Sequence, residues 1–207
     1  MELDPEVHSH PHRVGHRWFD MVLASTALLV SISSIIIAIQ NESNMRRLVT
    51  ANSWPYIALN QGNEKDGEAN VHFDVKNAGI GPATLEKLVV TYDGKPVGTS
   101  VELIKLCCAS AGGLDAIRRV AIDVVQGRVF TPREEISFFA VRKNDTDGPM
   151  WEALNLQRFK LGMSACYSSV FGEHWITSFG KPNPVSVKTC DALTGPAYDL
   201  NLNPEGL

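Results

Sequence analysis

Four cysteines, Cys107, Cys108, Cys166 and Cys190, together with six histidines, hold most of the reactive chemistry of this 207-residue chain. Oxidised in pairs, the thiols give two disulfides, for which three connectivities exist. A bridge between sequence neighbours is strained, so Cys107 and Cys108 are expected to bond to different partners. Cys166 with Cys190 is attractive because it would join the two terminal strands, leaving Cys107 and Cys108 free or one of them solely buried. As metal ligands, Cys107 or Cys108 would have to meet Cys166, His174 and Cys190, yet the chain has no C-x-x-C element to present two thiolates to zinc. As a nucleophile, Cys166 would use His174 as base, oriented by an acid such as Asp191. Spacing alone does not bring those three together. The expectation is structural cysteines, with no catalytic, cofactor-binding or metal-binding motif and no enzymatic activity.

A second cluster lies near the start. His8, His10, His12 and His16 fall within His-Ser-His-Pro-His-Arg-Val-Gly-His, a spacing that could hold a divalent transition metal, since imidazole suits zinc, copper and nickel. Pro5, Pro11 and Gly15 oppose helix there, and no apolar periodicity is present. Residues 1–20 therefore read as a flexible, partly protonated tail.

These groups are positioned by an uninterrupted apolar run, Met21 to Ile39, free of charged residues. Lipid demands about 20 apolar residues in a helix, because every backbone N–H and C=O must be satisfied inside the segment. A buried core helix would show a polar face, whereas the run has only Ser25, Thr26, Ser31, Ser33 and Ser34, whose hydroxyls can bond back to the preceding turn. A signal peptide has a shorter apolar core and a small-x-small site, and Gln40-Asn41-Glu42-Ser43 is a poor one. Residues 21–39 thus read as one uncleaved transmembrane helix. Along it Ala24, Ala27, Ser31, Ser34 and Ala38 form a stripe of small side chains that lets two helices approach closely. The register continues through Asn41, Met45 and Leu48, with Glu42 poised to pair with Arg46. Residues 40–53 read as a helical stalk, and self-association through the stripe is expected.

Orientation is nearly tied by charge: Arg13 and Arg17 stand before the run, Arg46 and Arg47 after it. The short leading tail and four cysteines in the remaining part favour a cytoplasmic N-terminus and a domain in an oxidising compartment. A net charge of -4 with no basic cluster excludes nucleic acid as a partner.

Residues 54–190 make up one domain of ordinary size. Pro55 biases Trp54 out of helix, and Trp54 and Tyr56 could sit among headgroups or anchor the first strand in the core. Val71, Phe73 and Val75 alternate with His72, Asp74 and Lys76, a strand with one buried face. Leu88 to Tyr92, the turn Asp93-Gly94 and Lys95-Pro96-Val97 form a hairpin. Val120 to Val125, Ile136 to Val141, Lys160 to Val170, His174 to Phe179 and Val185 to Cys190 read as further strands. Val101 to Ala109 and Pro149 to Phe159 read as helices. The fold class is mainly β, an immunoglobulin-like or related β-sandwich with one or two short helices behind an N-terminal transmembrane helix. Residues 191–207 are either a tail or an edge strand, from the alternation of Tyr198, Leu200 and Leu202.

Asn77-Ala78-Gly79-Ile80-Gly81-Pro82-Ala83 does not match a phosphate cradle, because Pro82 and a strand follow where a helix should open. It reads as a tight turn or bulge with glycine available for positive φ. The single span, Ser53-Trp54-Pro55-Tyr56, Asn77 to Ala83, Tyr92-Asp93-Gly94-Lys95-Pro96-Val97, Cys107-Cys108 and Cys166 to Trp175 together resemble a group of uncharacterised bacterial single-span membrane proteins with a C-terminal β-rich domain. The resemblance covers most of the chain from the span onward and implies a bacterial inner-membrane setting, with no activity attached. Members often carry cysteines where this chain has Ser168 and His174, which implies that one cysteine pair of the group is missing here. The functional expectation is a membrane-anchored, non-catalytic interaction or assembly module of the cell envelope, partnered by the bilayer and another membrane or envelope protein. The alternative is a tethered enzyme or metal-binding protein using Cys166 and His174.

Overall fold

A computed structural model of the chain describes residues 17–108, 121–144 and 148–199. His8, His10, His12 and His16 lie outside the described residues, as do Leu200 and Leu202. The chain divides into two compact units, residues 1–49 and 50–207.

The first unit is built on helix α1, which runs unbroken over Arg17–Asn52. Its 36 residues span about 54 Å at 1.5 Å per residue, enough to cross a hydrocarbon core of roughly 30 Å with turns to spare. None of its residues is buried. The hydroxyls of the apolar run bond to the helix's own carbonyls: Ser25 to Met21, Thr26 to Leu23, Ser31 to Ala27, Ser33 to Leu29 and Ser34 to Val30, all at 2.8–2.9 Å. Arg46 reaches back one turn to Glu42 at 2.6 Å, an exposed pair that contributes little. The helix ends just ahead of Pro55, whose ring disfavours α geometry at Trp54.

The second unit contains two antiparallel sheets. Strands β1 (Ile57–Lys65), β2 (Glu68–Asn77), β7 (Glu135–Arg142) and β5 (Ala121–Ile122) lie side by side in that order. The other sheet runs β10 (Val185–Val187), β9 (His174–Ser178), β8 (Leu161–Ser169), β3 (Ala83–Tyr92) and β4 (Lys95–Val97), with β6 (Val129–Phe130) paired to the start of β3. Helices α2 (Ser100–Cys108) and α3 (Gly148–Gln157) complete it. Turns follow local chemistry: Asp66-Gly67 joins β1 to β2 and Asp93-Gly94 joins β3 to β4, each pair at positive φ. Pro96 sits on edge strand β4, where a missing N–H costs no ladder bond.

One apolar core is shared by both sheets and both helices. Ile57, Leu59, Val71, Phe73 and Val75 come from the first sheet, Leu85, Leu88, Val90, Met163 and Tyr167 from the second, and Leu103, Ile104 and Leu154 from the helices. Phe73 packs against Phe138 and Phe139, and Phe138 meets Tyr198 edge-on with ring centroids 6.0 Å apart. Each such side chain contributes about 1.5–3 kcal/mol by leaving water.

Several expectations shift. The first strand, expected to open near Trp54 and Tyr56 but given no extent, is β1, Ile57–Lys65. The expected strand from Val120 to Val125 shortens to Ala121–Ile122 among the described residues, and the last strand ends at Val187, with Cys190–Ala192 in a 3-10 turn. Residues 191–199 form no edge strand. Instead Tyr198 is fully buried, its N–H donates to Leu88 O at 2.8 Å, and its hydroxyl meets Ser100 Oγ at 3.0 Å. Burial pushes the Tyr198 phenol well above its ordinary pKa. Trp54 is half exposed and stacks on Tyr56, so it does not anchor the core; Ile57 does.

Candidate functional site

Cys166 lies on the face of β8 turned away from the main core, where successive residues alternate sides. There it forms a small apolar cluster with Val89 and Leu193, flanked by Ile176, Val187 and Cys190. Its sulfur is bonded to Cys190, with the Cα atoms 5.5 Å apart. The bridge fastens the segment after β10 onto the sheet, and Lys87 Nζ reinforces it by donating to Leu193 O at 2.7 Å. A closed loop of this separation, 24 residues, stabilises by about 3 kcal/mol in the chain-entropy account.

Cys107 and Cys108 are bonded to each other at the end of α2. This corrects the expectation that neighbours would take different partners. Within the described residues, all four cysteines are bridged, with Cys166 and Cys190 bonded to each other. Cys107 and Cys108 are left with one another.

The trio of Cys166, His174 and Asp191 does not assemble into a thiol relay. His174 is on the same face of the sheet as Cys166, paired in register with Ser168, but its Nε2 lies 3.2 Å from Glu86 Oε1. Asp191 accepts from Thr189 Oγ1 at 3.2 Å. Cys166 holds a disulfide sulfur with no exposed surface. Among the described residues, no three His, Cys, Asp or Glu side chains stand close enough to hold a metal ion.

The outer face of the β1–β2–β7 sheet carries a polar cluster that the sequence did not single out. His72 and Asp74 were expected on a solvated face, yet both are buried. Gly62 makes room for the imidazole of His72: a Cβ there would collide with the ring. Lys65 folds across the strands, donating to Ser137 Oγ at 2.7 Å and approaching Asp74 and Glu135 at 3.5 and 3.6 Å. Lys76 pairs with Glu135 at 2.9 Å, and its hydrogen bond is the main cause that holds the Glu135 carboxyl below its ordinary pKa. His72 turns Nδ1 to Asn70 O at 2.9 Å and Nε2 to Asp74 at 3.4 Å. Ser137 has a lysine beside it, and that lysine is flanked by two carboxylates. The arrangement pairs charges across a sheet through Asp74 Oδ2 and Glu135, while Asp74 Oδ1 is buried without a hydrogen-bond partner. It does not build an activated hydroxyl.

A broadly open pocket of about 360 Å³ lies between the β1–β2 turn and α3, lined by Asn63, Glu64, Gly67, Ala69 and Trp151. Lys143 Nζ stands 4.7 Å from the Trp151 ring centre and pairs with Glu152.

Asn77 organises the end of the domain where the chain arrives from α1. The residue is wholly buried, and its amide Nδ2 donates to Gly81 O and Phe130 O at 2.8 and 3.1 Å. Its Oδ1 accepts from the N–H groups of Gly79 and Tyr56 at 3.0 and 3.3 Å. Gly79 and Gly81 do not adopt positive φ, contrary to expectation. They are needed because the backbone of Ser53, Trp54 and Pro55 passes so close that any Cβ would strike it. Trp54 O accepts from Ile80 and Gly81 N–H at 3.1 and 3.2 Å.

On α1, Ala24, Ala27, Ser31, Ser34 and Ala38 are exposed, with the serine hydroxyls already spent on Ala27 O and Val30 O. The stripe therefore offers close approach rather than free donors.

No protein family matches the chain. Neither a curated protein nor a solved structure matches it.

Proposed function

We propose that this chain is a membrane-tethered, non-catalytic interaction module of the bacterial cell envelope. In this reading α1 spans the inner membrane with the N-terminus in the cytoplasm, and a β-sandwich of immunoglobulin-like or related type lies in the periplasm to bind another membrane or envelope protein. The observation that carries it is the helix itself: a long apolar helix with no buried residue, whose five serine and threonine hydroxyls in the run each bond within their own helix. That is the internal satisfaction hydrocarbon requires. Two disulfides in the second unit support an oxidising compartment. The stripe from Ala24 to Ala38 supports pairing with a second copy.

Mild crosslinking in native membranes followed by mass spectrometry tests the proposal. A reproducible neighbour linked to the β-domain is expected. Recovery of the chain with no stable neighbour would overturn the interaction reading.

A further inference from the structure

The two disulfides differ in the properties that govern thiol exchange. Cys166–Cys190 closes a separation of 24 residues, with Cys166 buried beneath Leu193 and Val89 and Cys190 half-buried. Each bridge thus keeps one half-buried cysteine, and what separates the two is the length of chain each closes. Cys107–Cys108 closes a separation of one residue, so it removes almost no freedom from the unfolded chain and adds correspondingly little to stability. It sits at the last turn of α2, with Cys108 buried and Cys107 retaining part of its surface. The helix does not depend on it. Thr99 Oγ1 accepts from Glu102 N–H at 3.1 Å, Glu102 Oε2 accepts from Gly98 N–H at 2.8 Å, and Ser100, Leu103 and Ile104 are buried.

We propose that Cys107–Cys108 is a reversible dithiol–disulfide site, opened by a dithiol donor in the folded protein, while Cys166–Cys190 is a structural bridge. A thiolate of the donor attacks Cys107 Sγ, forming a mixed disulfide and releasing Cys108 as a thiolate that takes up a proton. The donor's second thiolate then attacks its own disulfide-bonded sulfur and releases Cys107, which is protonated in turn. The donor leaves as a cyclic disulfide, having passed two electrons and two protons to the protein. The reduced site presents two adjacent thiols, a soft chelating pair.

The test uses the full chain in lipid nanodiscs, poised in dithiothreitol redox buffers at fixed pH, trapped with N-ethylmaleimide and read by peptide mass spectrometry. Cys107 and Cys108 are expected to be alkylated at a reductant ratio at least about tenfold below that needed for Cys166 and Cys190, without change in the circular dichroism spectrum. The reduced wild type should bind one equivalent of phenylarsine oxide, and Cys107→Ser should abolish that binding. Opening of Cys166–Cys190 at the same or a lower ratio would overturn the proposal. So would opening of the vicinal pair only together with unfolding, or no arsenical binding by the reduced wild type.

Discussion

At the residue scale, the side chain that most of the domain's entry loop depends on is Asn77. Four hydrogen bonds converge on one buried amide, joining Tyr56, Gly79, Gly81 and Phe130. Asn77→Ala leaves buried backbone groups unpaired and is expected to cost about 2 to 3 kcal/mol, seen as a melting point roughly 5 to 10 °C lower. Asn77→Asp should do at least as much damage, because a carboxylate would face the carbonyls of Gly81 and Phe130. Melting points within 2 °C of wild type by the ~1 kcal/mol scale of a single bond would contradict this role. The sequence shows an Asn-x-Gly-x-Gly run but not its purpose. Its glycines read as turn residues because positive φ is the local use of glycine. The real cause, a strand of backbone at Ser53 to Pro55 packed against them, comes from elsewhere in the chain. Cysteine pairing follows the same pattern. The Cys166–Cys190 pairing that the sequence favoured does form, whereas the general awkwardness of a vicinal bridge argues against Cys107–Cys108, which forms between the two cysteines left over.

At the element scale, strong local signals carried through. The Asp93-Gly94 turn forms with φ of 49° and 76°, β8 and β9 form within the expected stretches, and β2, β7, α2 and α3 overlap theirs with ends that differ by a few residues. The extent of β1 was illegible because Ile57 and Leu59 are followed by the polar run Asn60-Gln61-Gly62-Asn63-Glu64, which pairs with β2 regardless of its weak alternation. The buried His72 and Asp74 were hidden for a related reason: what covers them is Lys65 from a neighbouring strand, bonded to Ser137 across 72 residues. Carboxylates at the start of β7 give the domain an acid-sensitive edge. The amide N–H of Thr131 is the main cause lowering the Glu134 pKa, and the Lys76 hydrogen bond does the same for Glu135. Both folded values lie below the ordinary 4.5, so their stabilisation is present above that pH and is lost as pH falls through the folded values. Urea midpoints should decline as pH is lowered from 5 toward ~3, and Glu135→Gln should make that decline shallower. An unchanged slope in the variant would remove Glu135 from the account. For α1, Ser31→Leu with Ser34→Leu should lower the oligomer size in detergent or nanodiscs by filling the small-residue stripe. An unaltered size would reject the stripe as an interface.

At the scale of the whole molecule, the sequence divides by the solvent each part suits. One unit is a helix with none of its residues buried, and the other closes its own core of two sheets and two helices. An apolar run of this length declares itself locally, which is why it is legible without a structure. The purpose of the domain is not, since its polar clusters are assembled from strands distant in sequence. The central claim, that the helix is a one-pass anchor carrying the β-domain to the far side of the membrane, rests on accessibility. Asp93 is an exposed turn residue, and the described cysteines are all bridged, so Asp93→Cys supplies a single free thiol. Labelling that thiol with a membrane-impermeant maleimide in intact spheroplasts tests the claim most directly. Full labelling before the membrane is disrupted is expected; labelling only after disruption would place the β-domain on the cytoplasmic side.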